Sequence, residues 1–168
     1  MSNLNSSNTI RPIIGCVQLK PHLYNFLLCN ENISLIAENP VIDICKNTLI
    51  SRELRMYCHD HTSLRNQDVN KKFFPIKLRF QLPINDPYPD KIYFDSQATY
   101  EFNNFIHYYM IETLNRHVRN YIEFTGGIAK DGYLDFIQKN GLEKTDLDWE
   151  SLKKAEFRLR KEKHIQNY

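Results

Sequence analysis

Glycine is scarce in this chain: only five residues, none arranged as the Gly-rich loop ending in Lys-Ser/Thr that cradles a nucleotide phosphate. There is no GxSxG elbow, no HExxH pair and no zinc-finger spacing either. The cysteines, Cys16, Cys29, Cys45 and Cys58, form no close CxxC pair. No apolar run approaches the roughly 18–20 residues that cross a bilayer, which argues against a membrane partner. The opening "MSNLNSSNTI" is polar and uncharged, unlike a secretory leader. The expected setting is the cytosol, with reduced thiols and with Cys29 and Cys45 packed as small hydrophobes. The formal net charge is only +2, so any nucleic-acid binding must come from a local patch and not from the global field. These absences leave no phosphate-loop or hydrolase chemistry, and the chain reads as a non-enzyme with no cofactor and no bound metal.

What is present is an ordinary globular composition, 42% hydrophobic and 25% charged, over 168 residues. A chain of that length buries a core without disulfides or metals. Residues 1–9 read as a loose, disordered tail. "IIGCVQL" (13–19) is rich in β-branched residues and predicts a strand. "KPHLYNFLLCN" (20–30) predicts a short helix, with Pro21 in the first turn and Leu23, Phe26 and Leu27 on one face. "ISLI" (33–36) predicts a strand. "ENPVIDICKNTLISRELRMY" (38–57) carries helix-start signals in Asn39, Pro40 and Asp43, with Val41, Ile44, Cys45, Thr48 and Leu49 as its inward stripe. Residues 59–72 predict a long loop.

"FPIKLRFQL" (74–82) alternates as a half-buried strand: Ile76, Leu78, Phe80 and Leu82 face one way, Lys77, Arg79 and Gln81 the other. "KIYF" (91–94) predicts its partner. The stretch 95–124 holds no Gly or Pro and predicts the longest helix, capped by Asp95 or Ser96 and ended by Gly126 or Gly127. A shorter helix is expected near 129–139, with Leu134, Phe136 and Ile137 inward. Gly141 should close it, and Asp146 or Asp148 should cap a last helix running to about Lys163. The fold class is therefore α+β. A small mixed N-terminal layer of helices and short strands (10–95) precedes a helical region (96–168). That region holds the long helix and a helix-turn-helix-like C-terminal hairpin, in which Gln138–Asn140 could approach one phosphate strand.

The last helix, within "DLDWESLKKAEFRLRKEKH" (146–164), poses the functional question. At about 100° per residue, Trp149, Leu152, Ala155 and Leu159 fall within about 120° of one another and form the expected buried stripe. Lys153, Lys154, Phe157, Arg158 and Lys161 fall on the opposite arc, with Arg160 at its border. Between Glu150 and His164 six basic side chains face three acidic ones. Such a helix is either a dipole-matched solvated face or a binding surface. Phe157, set among Lys153, Lys154, Arg158 and Lys161, favours the surface, because an aromatic among cations suits both nucleic acid and a protein partner.

"YCHDHTS" (57–63) is the one cluster with ligand chemistry. In an extended segment His59 and His61 share a side and Cys58 and Asp60 point away, so zinc would need two further ligands from Cys16, Cys45, His22 or His107. Incidental polar loop residues are the plainer reading. His117 lies near the apolar stripe of the long helix and should pack with a hydrogen bond. Asp86, Asp90 and Asp95 have ordinary turn and cap roles.

The segments "LKPHLYNFLL", the later "NP" and the ending "SLKKAEFRLRK" resemble small proteins carried by phages and mobile elements of Bacteroidetes-type bacteria. The resemblance covers the two ends of the chain and implies a phage or mobile-element role without supplying a catalytic residue. The expected function is that of a non-enzymatic nucleic-acid-binding or regulatory accessory protein. It would act on double-stranded DNA through Lys153, Lys154, Phe157, Arg158, Arg160 and Lys161. The alternative is a protein–protein adaptor or a structural component of a phage-like assembly; a small metal-dependent enzyme ranks third.

Overall fold

The computed structural model describes residues 10–36, 39–44, 48–58, 62–63, 74–83 and 91–166. The fold is α+β. In chain order the elements are β1 (Ile10–Leu19), α1 (Pro21–Asn30), β2 (Asn32–Ile36), β3 (Asn39–Asp43), α2 (Thr48–Cys58) and β4 (Thr62–Ser63). There follow β5 (Phe74–Pro83), β6 (Lys91–Phe94), α3 (Ser96–Thr125), α4 (Ala129–Lys139), a 3-10 turn (Leu142–Lys144) and α5 (Trp149–Gln166). The expected tail 1–9 and most of the loop 59–72 lie outside the described residues, as do His59, Asp60, His61, Cys45, Asp86 and Asp90.

Two compact units divide the chain. One is built from segments within Met1–Gln18, Glu31–Lys71 and Pro75–Tyr100, the other from segments within Leu19–Asn30, Lys72–Phe74 and Glu101–Tyr168. The first carries the mixed sheet, in the order β2-β3-β5-β1-β6-β4. Along β1, Ile13, Val17 and Leu19 are buried while Ile14, Cys16 and Gln18 are half-buried, the period-two pattern of a strand with one face on the core.

Two expectations fail in this unit. Residues 39–43 form a strand and not the start of a helix: β3 pairs antiparallel with β2 from Asn32↔Asp43 to Ile36↔Asn39 and parallel with β5 at Ile42↔Leu78. Val41 and Ile42 are both buried, so β-branched side chains covered on both faces outweigh the Asn-Pro start signal. The helix begins only at Thr48. Asp43 answers Arg79, its cross-strand neighbour, at 3.4 Å. Nor is β6 the partner of β5; it runs parallel to β1 (Ile14↔Lys91, Cys16↔Tyr93) and antiparallel to β4 (Thr62↔Phe94). The neighbours of β5 are β3 and β1, and β1 stands between β5 and β6.

The second unit is helical. α3 starts under Asp95, whose carboxylate accepts from the Ala98 amide at 2.8 Å. It buries Phe102, Ile106, Met110, Ile111, Leu114 and Val118, and Gly126, at φ 68°, stops it in the left-handed conformation. α1 belongs here, although sequence order groups it with 10–95. Its Leu23, Phe26 and Leu27 are fully buried, and Phe26 packs edge-on to Tyr109 (5.9 Å between ring centroids) and beside Phe136 (6.3 Å). Burial of such side chains stabilises by about 1.5–3 kcal/mol each. The Lys20 amide donates to the buried Asn103 side chain at 3.0 Å. On α4 the inward face is Gly132, Tyr133, Phe136 and Ile137, and Leu134 is exposed, contrary to expectation. Gly132 has a packing reason: a Cβ there would stand 3.3 Å from the Val118 backbone.

Candidate nucleic-acid interface

α5 begins where the capping chemistry puts it. Asp148 is the cap: its carboxylate accepts from the Ser151 amide at 2.7 Å and its carbonyl from the Leu152 amide at 3.1 Å. The Ser151 side chain first, and then its backbone amide, hold the Asp148 carboxyl below the usual carboxylate range through their hydrogen bonds. Upstream, Gly141 turns the chain at φ 59°, Leu142 is fully buried, and the Asn25 side chain donates to the Gly141 carbonyl at 2.9 Å. The link from α4 to α5 spans residues 140–148 and contains the 3-10 turn, longer than the three or four residues usual in a helix-turn-helix. Asn140 is not free for a phosphate: it is buried, accepts from Asn30 at 2.6 Å and donates to the Phe136 carbonyl at 2.8 Å.

The buried face of α5 differs from the expected stripe in one respect that matters. Leu152 is fully buried and Ala155 and Leu159 are half-buried, but so is Trp149, and the second buried side chain is Glu156. The Tyr133 hydroxyl donates to one Glu156 oxygen, and Arg160, one turn on, donates to the other. Arg160 also reaches the Asn115 side chain of α3 at 3.2 Å. Burial and the neighbouring carboxylate push the Tyr133 phenol well above its ordinary range, so it stays a donor. Sequence reasoning placed Arg160 at the border of the arc. The structure gives it to this internal network, which leaves it less suited to a ligand than its neighbours. Sequence reasoning missed the buried Glu156, whose only local signal is an acid at the edge of the apolar stripe with a base at i+4; Tyr133, on another helix, had no local signal.

The outward arc carries what remains. Lys153, Lys154, Phe157, Arg158 and Lys161 are all exposed, Phe157 at 69%. None of these four bases forms an ion pair with a described residue. Lys153 does reach sideways: its ammonium lies 5.8 Å from the centroid of the Trp149 ring, and Lys130 of α4 lies 5.3 Å from the same ring. Trp149 is therefore less a core anchor than a half-buried ring that two cations approach, each contact contributing about 0.5–1 kcal/mol. Unpaired cations around an exposed ring are able to neutralise phosphates and offer a π-face.

No family model matches the chain, and neither a curated protein nor a solved structure matches it. No group of three or more metal-ligating side chains converges among the described residues. His22 and His107, both candidates to complete a metal site, do meet edge-on, 6.2 Å between centroids. Burial first, then the neighbouring His107 and Lys20, lowers His22 to about 4, Asp146 opposing; burial also lowers His107. Cys29 is exposed and not packed as expected, and Cys16 is half-buried in β1. His117 lies against Phe136 and bonds Asp135 at 2.7 Å, and Lys139 shares that carboxylate at 2.8 Å. Lys139 chiefly, and then His117, holds Asp135 below the usual range. No described hydrogen bond links this His–Asp pair to a hydroxyl or thiol nucleophile.

Proposed function

We propose that this protein binds nucleic acid without catalysing a reaction, through the outward arc of α5. Lys153, Lys154, Arg158 and Lys161 meet phosphates, with Phe157 at their centre. The observation that carries the reading is the exposure of all five side chains, while Glu156 is buried and Arg160 is bonded to Glu156 and Asn115. Double-stranded DNA is one form such a surface takes up. The resemblance of the two chain ends supports an accessory role in a phage or mobile element, acting in the host cytoplasm.

A salt titration tests it. Three or four phosphate contacts give a slope of log K against log salt of about −3 to −4 on B-DNA, at about −0.9 for each phosphate. Lys153→Ala with Lys154→Ala is expected to flatten that slope by about 2. Absence of binding at low salt would overturn the reading. So would nuclease or ATPase turnover that is lost on changing His117 or Asp135.

A second reading, a protein adaptor or a component of a phage-like assembly, has its own support. At the corner between α3 and α4, Phe124 is 82% and Ile128 63% exposed, with Ile122 and Leu134 also in solvent. On that reading a protein partner is lost when Phe124 and Ile128 become Ser, and DNA does not bind at moderate salt.

A further inference from the structure

The outward arc has an order finer than its charge. Trp149, Lys153, Phe157 and Lys161 are four residues apart, so they line one ridge of α5, aromatic and basic in turn. Each step advances about 6 Å along the axis, which sets the two rings about 12 Å apart with an ammonium between them and another beyond. Phe157 is the most exposed aromatic described on α5, and Trp149 is half-buried with the ammonium groups of Lys130 and Lys153 over its ring. Lys154 and Arg158 flank the ridge on its solvent side. The acid on this arc, Glu150, is in the first turn next to Trp149, so positive charge grows from Lys153 toward Lys161.

We propose that this ridge binds single-stranded nucleic acid, stacking bases on Phe157 and Trp149 while Lys130, Lys153 and Lys161 take the phosphates between them. The inference rests on the nucleic-acid reading above and narrows it from any polyanion to an unpaired strand. In a duplex the base faces are hidden in the stack, and an aromatic reaches them only by wedging a step apart. An unpaired strand presents each base to a ring without that cost, and alternating rings and cations are what such a strand needs. A protein surface covering Phe157 would have to desolvate four ammonium and guanidinium groups for one ring, whereas a polyanion neutralises them. The long stems of Lys130 and Lys153 let their charges swing from the indole to a phosphate as a base slides on.

The chain holds a single Trp, so its intrinsic fluorescence reports stacking at Trp149 without a label. The full-length protein is titrated with oligo-dT and, at the same salt, with a DNA hairpin of mixed sequence. Oligo-dT is expected to quench the Trp emission and to bind at least about tenfold tighter than the hairpin. Phe157→Ala should weaken oligo-dT about tenfold, the loss of one stacked base. It should leave hairpin affinity and the thermal midpoint unchanged, and Phe157→Tyr should restore strand binding. Equal affinity for hairpin and strand, or strand binding with unchanged Trp emission and no effect of Phe157→Ala, overturns the ridge and leaves nucleic-acid binding standing. Binding to neither at low salt removes both and leaves this face to a protein partner.

Discussion

Two polar junctions of the helical unit solve the same problem in opposite ways. Where α1 meets α3, His22 and His107 lie edge-on and half-buried, with no ion pair to a carboxylate among the described residues and only the opposing charge of Asp146 near His22. Burial first and then Lys20, with the other ring acting as well on His22, favour their neutral forms. Where α5 meets α4 and α3, a carboxylate is buried outright, and the Tyr133 phenol and the Arg160 guanidinium answer both of its oxygens. The first junction avoids charge; the second keeps a charged group and satisfies it. A half-solvated imidazole is inexpensive to hold neutral, whereas a carboxylate on a helix already committed by Leu152 and Leu159 needs full hydrogen bonding. The outcome for α5 is a fixed rotation about its axis, which turns Lys153, Phe157 and Lys161 to solvent.

Breaking the charged junction should have the largest effect. Glu156→Ala leaves the buried Tyr133 hydroxyl without its acceptor while Arg160 turns back to water, at a cost of about 2–3 kcal/mol. Glu156→Gln keeps an acceptor and should lose about half as much. Urea unfolding of both variants measures the difference, and equal losses would show that shape and not hydrogen bonding holds α5. Trp149→Ala comes next, at about 1–2 kcal/mol, because the ring is half-buried and held partly by its two lysines. A loss of about 4 kcal/mol, expected of a fully buried aromatic, would contradict that placement.

The neutral junction should show itself only in acid. His22 is depressed below the unfolded histidine value of 6.5, so above about pH 6.5 both folded and unfolded chains hold it neutral and its contribution is complete. As pH falls from about 6.5 toward 4, the unfolded chain takes up a proton that the folded chain refuses, and stability is lost. After allowance for solvent screening at a half-buried group, this amounts to about 1 kcal/mol. His107 works in the same direction. His22→Gln should flatten the thermal midpoint between pH 6.5 and 4.5 relative to wild type; an unchanged acid slope would mean that the histidines carry none of it.

The helical half was largely legible because its signals are local. Asp95 and Asp148 cap, Gly126 and Gly141 stop, and the long Gly-free run of α3 shows its apolar stripe at helical spacing. The sheet was less so. Asn39, Pro40 and Asp43 imitate a helix start, and only pairing with β2 and β5, which no local window contains, makes 39–43 a strand. The exposed arc of α5 followed from spacing. The buried Glu156 did not, because its acceptance in the core depends on Tyr133, which lies 23 residues away in sequence. Likewise nothing between residues 20 and 30 announces that this helix packs with the last third of the chain.

That last point bears on how the chain is made. Asn30 and Asn140, joined side chain to side chain, are 110 residues apart, and Asn25 and Gly141 are 116 apart. At a synthesis rate of about 5–20 residues per second, α1 leaves the ribosome some 5–20 seconds before its partners exist. Until α3 and α4 emerge, Leu23, Phe26 and Leu27 lack their native cover from Tyr109 and Phe136, and the emerging helix is a natural client for chaperones that hold apolar segments. The segments that build the sheet all appear before α3 is complete, whereas the helical unit can close only after α4 and α5 have emerged.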